Sequence, residues 1–331
     1  MKMNVTRRDF LKASAAIAGA LALKGSGLMQ LQKVMAGGGS KPPVIWLQGQ
    51  GCTGCSVSLL NSTYFMGLDE DENPINMTID KLLIDTIDLR FHPTVMAAAG
   101  EEAVDAATES APGYVLVIEG AIPRGANGEY CHIWEGTTML DALELFAQDA
   151  GVVLAVGTCA SYGGLPAGSP NPTVAMGVDA ALRSAGISKS VINIPGCPSH
   201  PDWIIGTVAA LLAGEMPELD DVSRPIEFFG TEGHKMCPNR GLGGGQAEVL
   251  SEPGCLSGLG CKGQKTHADC PVRKWNAALG VNNVGVNWCI GARNPCQGCT
   301  EPDFPDGMSP FYHPMEKNIN PLKQDKRTFR L

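Results

Sequence analysis

"PVIWLQGQGCTGCS", residues 43–56, joins an unbroken apolar run to a glycine-rich turn that carries two cysteines three positions apart. Val, Ile, Trp and Leu follow one another with no polar alternation, the pattern of a strand buried on both faces of a parallel sheet. The turn then falls at the strand's carboxyl end, where open α/β sheets collect their ligands. On its own the C-x-x-C pair fits a redox dithiol, half a zinc site or half an iron–sulfur site. The glycines at 49, 51 and 54 would let the backbone wrap closely around a bulky inorganic core.

The same pattern recurs downstream. Apolar runs at 84–91 (IDTIDLRF), 114–120 (YVLVIEG), 152–158 (VVLAVGT) and 190–196 (SVINIPG) alternate with helix-like segments. Those segments are VSLLNSTYF (57–65), AAGEEAVDAATES (98–110), MLDALELFAQDA (139–150), VAMGVDAALRSAG (174–186) and PDWIIGTVAALLAG (201–214). The alternation predicts an α/β fold, a flavodoxin-like doubly wound parallel sheet over residues 37–225. From Pro225 the rhythm stops, and residues 226–331 read as a second, loop-rich domain with little regular structure.

Twelve cysteines in 331 residues require an explanation. The strand at 152–158 ends in Cys159 and the strand at 190–196 ends in Cys197. If the strands are parallel, Cys52, Cys55, Cys159 and Cys197 meet at one sheet edge. Four thiolates suit tetrahedral zinc or a cubane iron–sulfur cluster. Structural zinc sites usually pair two local knuckles, whereas here two ligands are singletons far along the chain, which favours a cluster held by the fold. The plainer alternative is a set of buried, inert thiols. Beyond residue 225, His234, Cys237, Cys255 and Cys261 form one group along the chain, and Cys270, Cys289, Cys296 and Cys299 form another. A loop-rich region of this size would be marginal without staples, which could be clusters or disulfides.

The amino terminus reads as an address. "TRRDFLK" (6–12) precedes an uncharged run from Ala13 to Leu23, too short to span a bilayer, which needs about 18 residues or more. Adjacent arginines before a short apolar stretch mark a twin-arginine signal, with small residues at 34 and 36 placing cleavage after Ala36. The formal charge is −9; residues 1–36 hold six Lys or Arg and one Asp, so the cleaved chain carries 19 basic and 33 acidic side chains, a formal −14. Such a balance argues against nucleic acid as a partner. No run elsewhere is apolar enough for a transmembrane anchor, and the carboxyl terminus is polar.

The ordered stretches "GCTGCS", "EGAIP", "GTCASYGG", "PGCPSHPDW", "GHKMCP", "LGCKG", "ADCP" and "NPCQGCTEPDFPD" resemble the small subunit of periplasmic nickel–iron hydrogenases over essentially the whole chain. The resemblance implies a proximal 4Fe–4S cluster on Cys52, Cys55, Cys159 and Cys197, and a distal 4Fe–4S cluster on His234, Cys237, Cys255 and Cys261. It also implies a medial cluster on Cys270, Cys296 and Cys299. Many relatives carry proline where this chain has Cys289; the extra thiol predicts a medial 4Fe–4S cluster, or a 3Fe–4S cluster if Cys289 is not a ligand. With Val57 after Ser56, this pattern resembles the selenium-containing branch. The implied partners are a large subunit that holds the nickel–iron centre and an external carrier such as a c-type cytochrome. A membrane-docked respiratory uptake hydrogenase is the alternative. The implied location is the periplasm, reached in the folded state. Cys131 is left over as a shielded thiol, His200 is read as orienting its loop, and His132 and His267 lack metal-like spacing.

Overall fold

The computed structural model describes residues 41–69, 71–240, 245–278 and 284–315. The twin-arginine segment and the carboxyl-terminal tail lie outside them. The strands are β1 (Pro43–Gln48), β2 (Thr63–Leu68), β3 (Pro74–Thr78), β4 (Asp88–Phe91), β5 (Val115–Glu119), β6 (Ile122–Pro123), β7 (His132–Trp134), β8 (Thr137–Thr138), β9 (Val152–Val156), β10 (Ala175–Met176) and β11 (Val191–Ile194). Five of them form one sheet in the order β11-β9-β5-β1-β4, and every pairing is parallel. Counted along the chain, these five lie 2-1-3-4-5 across the sheet, the flavodoxin-like order. The predicted fold is therefore the observed one.

The apolar runs divide their side chains between two cores. Val44, Trp46, Val115, Val117, Leu154, Val156, Ile192 and Ile194 face one side, against helices α1 (Gly54–Leu60) and, later in the chain, Pro201–Leu212. Ile45, Leu47, Leu116, Ile118, Val153 and Ala155 face the other, against α2 (Glu101–Thr108), α3 (Met139–Asp149) and the helix Val178–Ser184. This is the period of two that a pleated strand imposes. Each fully buried Val, Leu or Ile contributes roughly 1.5–3 kcal/mol, so continuous apolar strands are what a doubly covered sheet requires. Helix α3 starts at a capping box, in which Thr138 Oγ1 accepts from the Asp141 amide and the Thr138 amide donates to the Asp141 carboxylate.

Three local expectations change. The helix predicted over 57–65 stops at Leu60, and Thr63–Leu68 pairs antiparallel with Pro74–Thr78. There Tyr64 and Met66 are buried while Thr63 and Phe65 are half-buried, a strand alternation built from β-branched and aromatic residues. The strand predicted over 84–91 begins only at Asp88. Before it, Lys81–Thr86 forms a π-helical turn, with the Ile87 amide donating to the Leu82 carbonyl, that buries Leu82 and leaves Ile84 exposed. The segment predicted as helix over 174–186 keeps its helix at Val178–Ser184, while Ala175–Met176 pairs with Ile122–Pro123.

Beyond residue 225, regular structure shrinks to single turns: Ile226–Phe229, Gly233–Met236 and Cys270–Arg273, with 3-10 turns at Ser257–Leu259 and Asp306–Met308. Its own apolar cluster is small (Cys237, Ala247, Leu256 and Ile290). The region is instead tied to the sheet half. Phe228 and Phe229 enter the larger core. Trp203 Nε1 donates to Asp269 at 2.8 Å, and His200 Nε2 lies 2.6 Å from the Lys274 carbonyl. Arg224, buried, joins Asp220 at 2.7 Å and Glu301 at 3.0 Å.

Candidate metal centres

The first set of thiols gathers at the carboxyl edge of the sheet. β1 runs into the turn that carries Cys52 and the first turn of α1, which carries Cys55. β9 runs into α4 (Thr158–Tyr162), whose second residue is Cys159, and β11 runs into the loop with Cys197. Cys52, Cys159 and Cys197 line an open cleft of 570 Å³ with Leu165, Pro166 and Pro172. Cys55 is buried beside them, and the Ser199 amide donates to its sulfur at 3.5 Å. Burial raises the Cys55 thiol well above its ordinary range, and the nearby Glu119 carboxylate and the other thiols push the same way. Burial likewise lifts Cys159 to about 11, with Cys197 adding to the shift, and raises Cys197. Protein alone therefore disfavours several thiolates here; a cationic core would reverse that balance.

Glycines make room for these sulfurs, but not all those singled out by sequence. A side-chain carbon on Gly157 would stand 2.4 Å from Cys55 Sγ, and one on Gly164 would stand 3.0 Å from Cys159 Sγ. Of the turn glycines, Gly54 abuts Cys52 Sγ, whereas Gly49 and Gly51 are required by the backbone of Ala121 and Gly120 instead.

Sequence reasoning also passed over Glu119, although it lies in the quoted "EGAIP". This carboxylate is 4% exposed at the end of β5. It accepts from the amides of Cys55 (3.0 Å) and Ser56 (3.2 Å), and from Trp46 Nε1 and Gln48 Nε2, both at 3.1 Å. Ser56 Oγ donates to it as well and lies 3.2 Å from His92 Nε2. Glu119 thus fixes the first turn of α1 and the Cys55 backbone. A buried acid at a strand's carboxyl end was the available signal.

His234, Cys237, Cys255 and Cys261 line one enclosed pocket with Leu256, Gly263 and Ile290. His234 sits on the turn Gly233–Met236, anchored by its amide to the Gly263 carbonyl at 2.9 Å. Burial lifts Cys261 to about 11, with a contribution from Cys296, and raises Cys237. In the remaining set Cys270, Cys296 and Cys299 are half-buried. Burial raises Cys270 well above its ordinary range, with Cys299, Cys296 and Cys289 near enough to add to it. Burial also raises Cys296 and Cys299, and both feel Cys289. Cys289 as a residue is exposed, yet desolvation raises its thiol too.

No pair among the twelve cysteines is joined as a disulfide. Among the described residues, no three His, Cys, Asp or Glu side chains close in tightly enough for a single metal ion, as tetrahedral zinc with Zn–S near 2.3 Å demands. Two buried polar atoms beside the thiols, Ser199 Oγ and Trp288 Nε1, have no protein partner among the described residues and are free to donate to sulfur. Cys131 lies away from all three sets, packed against the second core with its thiol raised by burial. His200 does orient its loop: as the cap of the helix Pro201–Leu212 it accepts the Asp202 amide at 3.0 Å. His132 makes an exposed contact with Glu129, and His267 contacts Glu301.

A flavodoxin-like sheet with thiols at its carboxyl edge, continued by a cysteine-rich loop region, defines an iron–sulfur protein. Residues 52–211 match the family described as "NADH ubiquinone oxidoreductase, 20 Kd subunit". Residues 229–312 match the C-terminal family of the NiFe/NiFeSe hydrogenase small subunit, and residues 4–24 match the twin-arginine translocation signal. The chain is 40% identical to the periplasmic [NiFeSe] hydrogenase small subunit of Desulfomicrobium baculatum, over 94% of this chain and 99% of that one. It is 37% identical to the periplasmic [NiFe] hydrogenase small subunit 1 of Nitratidesulfovibrio vulgaris, over 94% of each. The solved Desulfomicrobium baculatum [NiFeSe] hydrogenase matches with a TM-score of 0.73 over 84% of this chain and 100% of that chain, at 40% identity. The recombinant [NiFeSe] hydrogenase of Desulfovibrio vulgaris Hildenborough matches with a TM-score of 0.72 over 83% and 99%, at 45% identity. The chain belongs to the family of NiFe/NiFeSe hydrogenase small subunits.

Proposed function

We propose that this chain is the electron-relay subunit of a periplasmic hydrogenase, serving the reaction H2 = 2 H+ + 2 e−. It is exported by the twin-arginine route, and H2 reacts in the partner large subunit. The proximal ligands are Cys52, Cys55, Cys159 and Cys197; the medial ligands are Cys270, Cys289, Cys296 and Cys299; the distal ligands are His234, Cys237, Cys255 and Cys261. When bound, three 4Fe–4S clusters supply reversible one-electron chemistry. The chain's own residues hold them in place and partly desolvate them.

The observation that supports this reading is that Cys296 and Cys299 adjoin both other groups of thiols. The Thr158 hydroxyl, beside Cys159, donates to the Cys299 carbonyl, and the Lys262 amide, beside Cys261, donates to the Cys296 carbonyl at 2.7 Å. The proximal cleft is open, with Cys52 and Cys197 exposed, which suits a face that the large subunit would cover. The acidic balance of the chain suits a basic carrier such as a c-type cytochrome. Among the described residues no helix is long and apolar enough to cross a membrane.

Iron and sulfide analysis of the purified heterodimer tests the reading. Three cubanes give about twelve irons in this subunit; zinc, or no metal, overturns it. EPR of the oxidised protein tests the medial assignment: a strong 3Fe–4S signal removes Cys289 from the ligand set.

A further inference from the structure

We propose that Thr158 is a positioning residue for electron transfer, its hydroxyl linking the proximal site to the medial one. The inference rests on the ligand assignment above. Thr158 is 1% exposed and immediately precedes Cys159. Its amide donates to the Gly196 carbonyl at 3.0 Å, and its Oγ1 accepts from the Gly196 amide at 2.8 Å. Gly196 in turn immediately precedes Cys197. The same hydroxyl donates its proton to the carbonyl of Cys299. One side chain therefore touches three ligand segments, two proximal and one medial.

A hydroxyl can do this where a methyl group cannot, because it accepts from one loop while donating to another. One bonded route between the sites then runs from Cys159 through the adjoining Thr158 and one hydrogen bond to the backbone of Cys299, beside the Cys197 amide that faces the Cys299 thiol. Electron tunnelling falls off with distance, so a hydroxyl that ties both proximal loops to Cys299 fixes the spacing on which transfer along either route depends.

The other junction is built alike. Lys262, immediately after the distal ligand Cys261, donates its amide to the carbonyl of the medial ligand Cys296 at 2.7 Å. Thr266 Oγ1 donates to the Lys262 carbonyl at 2.8 Å and lies 3.4 Å from Cys296 Sγ. Each outer site thus grips a carbonyl of a medial ligand with one donor carried next to its own cysteine. At the proximal junction the donor to the medial carbonyl is itself a side chain, so there the bond can be deleted without altering the backbone.

The test uses the assembled heterodimer with Thr158→Val, Thr158→Ala and Thr158→Ser. Iron content, cluster midpoint potentials, and rapid-freeze EPR of cluster reduction after mixing with H2 are read for each. We expect Thr158→Val or Thr158→Ala to keep full iron and normal reduction of the proximal site while reduction of the medial and distal sites slows several-fold. Thr158→Ser, which keeps the hydroxyl, retains the wild-type rate. Unchanged transfer in both apolar variants overturns the proposal. So does loss of iron in both, which makes the hydroxyl an assembly element, or a serine variant as slow as valine. A failure of the ligand assignment shows separately, as wild-type protein lacking three clusters.

Discussion

Arg224 offers the sharpest test of how the two halves of the chain are joined. Its guanidinium reaches Asp220 at 2.7 Å and Glu301 at 3.0 Å, donates to the Thr300 carbonyl at 3.1 Å, and lies 5.8 Å from the Phe229 ring centre. The Arg224 side chain is 5% exposed and that of Glu301 9%. Arg224→Met preserves most of the apolar stem but takes the guanidinium from a buried carboxylate two residues from Cys299, which keeps the His267 amide at 2.6 Å. Breaking a buried pair from one side costs about 3–5 kcal/mol, and the retained amide holds the cost near the lower end. Asp220 loses less, because its other oxygen still accepts from the amides of Val222 and Arg224. At about 2–4 °C per kcal/mol for chains approaching this length, the melting temperature of the iron-loaded heterodimer should fall by roughly 10 °C. Calorimetry and visible absorbance, followed in parallel, read unfolding and cluster loss. Adding Glu301→Gln to Arg224→Met should restore part of the loss, since the buried charge that has lost its guanidinium is then gone. A drop of less than about 1 kcal/mol, or a double variant worse than the single by the full cost of Glu301→Gln alone, would refute the reasoning.

Other outcomes follow from the same geometry. Burial lowers His200 to about 3, so the native state keeps it neutral where the unfolded chain, near 6.5, takes up a proton. Its contribution is complete above about pH 6.5 and is lost as the pH falls towards 3; at pH 5 the deficit is about 2 kcal/mol. Denaturant titrations at pH 7 and pH 5 measure it, and His200→Asn should flatten the slope. His92, lowered by burial to about 4, adds a deficit of the same sign between about pH 6.5 and 4. Gly157→Ala drives a methyl group into Cys55 Sγ at a φ of +85°, so the proximal site should not load and iron should drop by roughly four atoms of twelve; a full complement of iron would show that the loop yields. Cys289→Ala should cost about one iron and bring up an oxidised 3Fe–4S EPR signal; an unchanged spectrum would show that Cys289 is not a ligand.

The fold was legible because its strands are covered on both faces. Val152–Val156 is fully buried, so each residue had to be apolar, and the run stood out from the helices on either side. The hairpin at 63–78 was not legible in the same way. Tyr64 and Met66 alternate with half-buried neighbours over only six residues, directly after a helix, and an apolar stretch that short fits either period. The π-helical turn at Lys81–Thr86 carries the same ambiguity, since Ile84 and Thr86 read as the start of a strand, whereas the turn buries Leu82 and Thr86.

At the sites, residue type was legible and partnership was not. A cysteine announces itself wherever it stands, so every candidate ligand could be named. Glu119, Thr158 and the Arg224–Glu301 pair act on residues far away in the chain, and no periodicity marks them. The order of the sites is the clearest case. Along the chain, the distal set at 234–261 precedes the medial set at 270–299, so sequence separates the proximal thiols from the medial ones by a whole distal site. In space the chain doubles back. The Thr158 hydroxyl takes hold of Cys299 and the Lys262 amide takes hold of Cys296, so the last segment to be made is drawn between the two already formed. Cys296 and Cys299 therefore stand beside both other groups of thiols because of where hydrogen bonds to their backbone place them, not because of the residues flanking them in sequence.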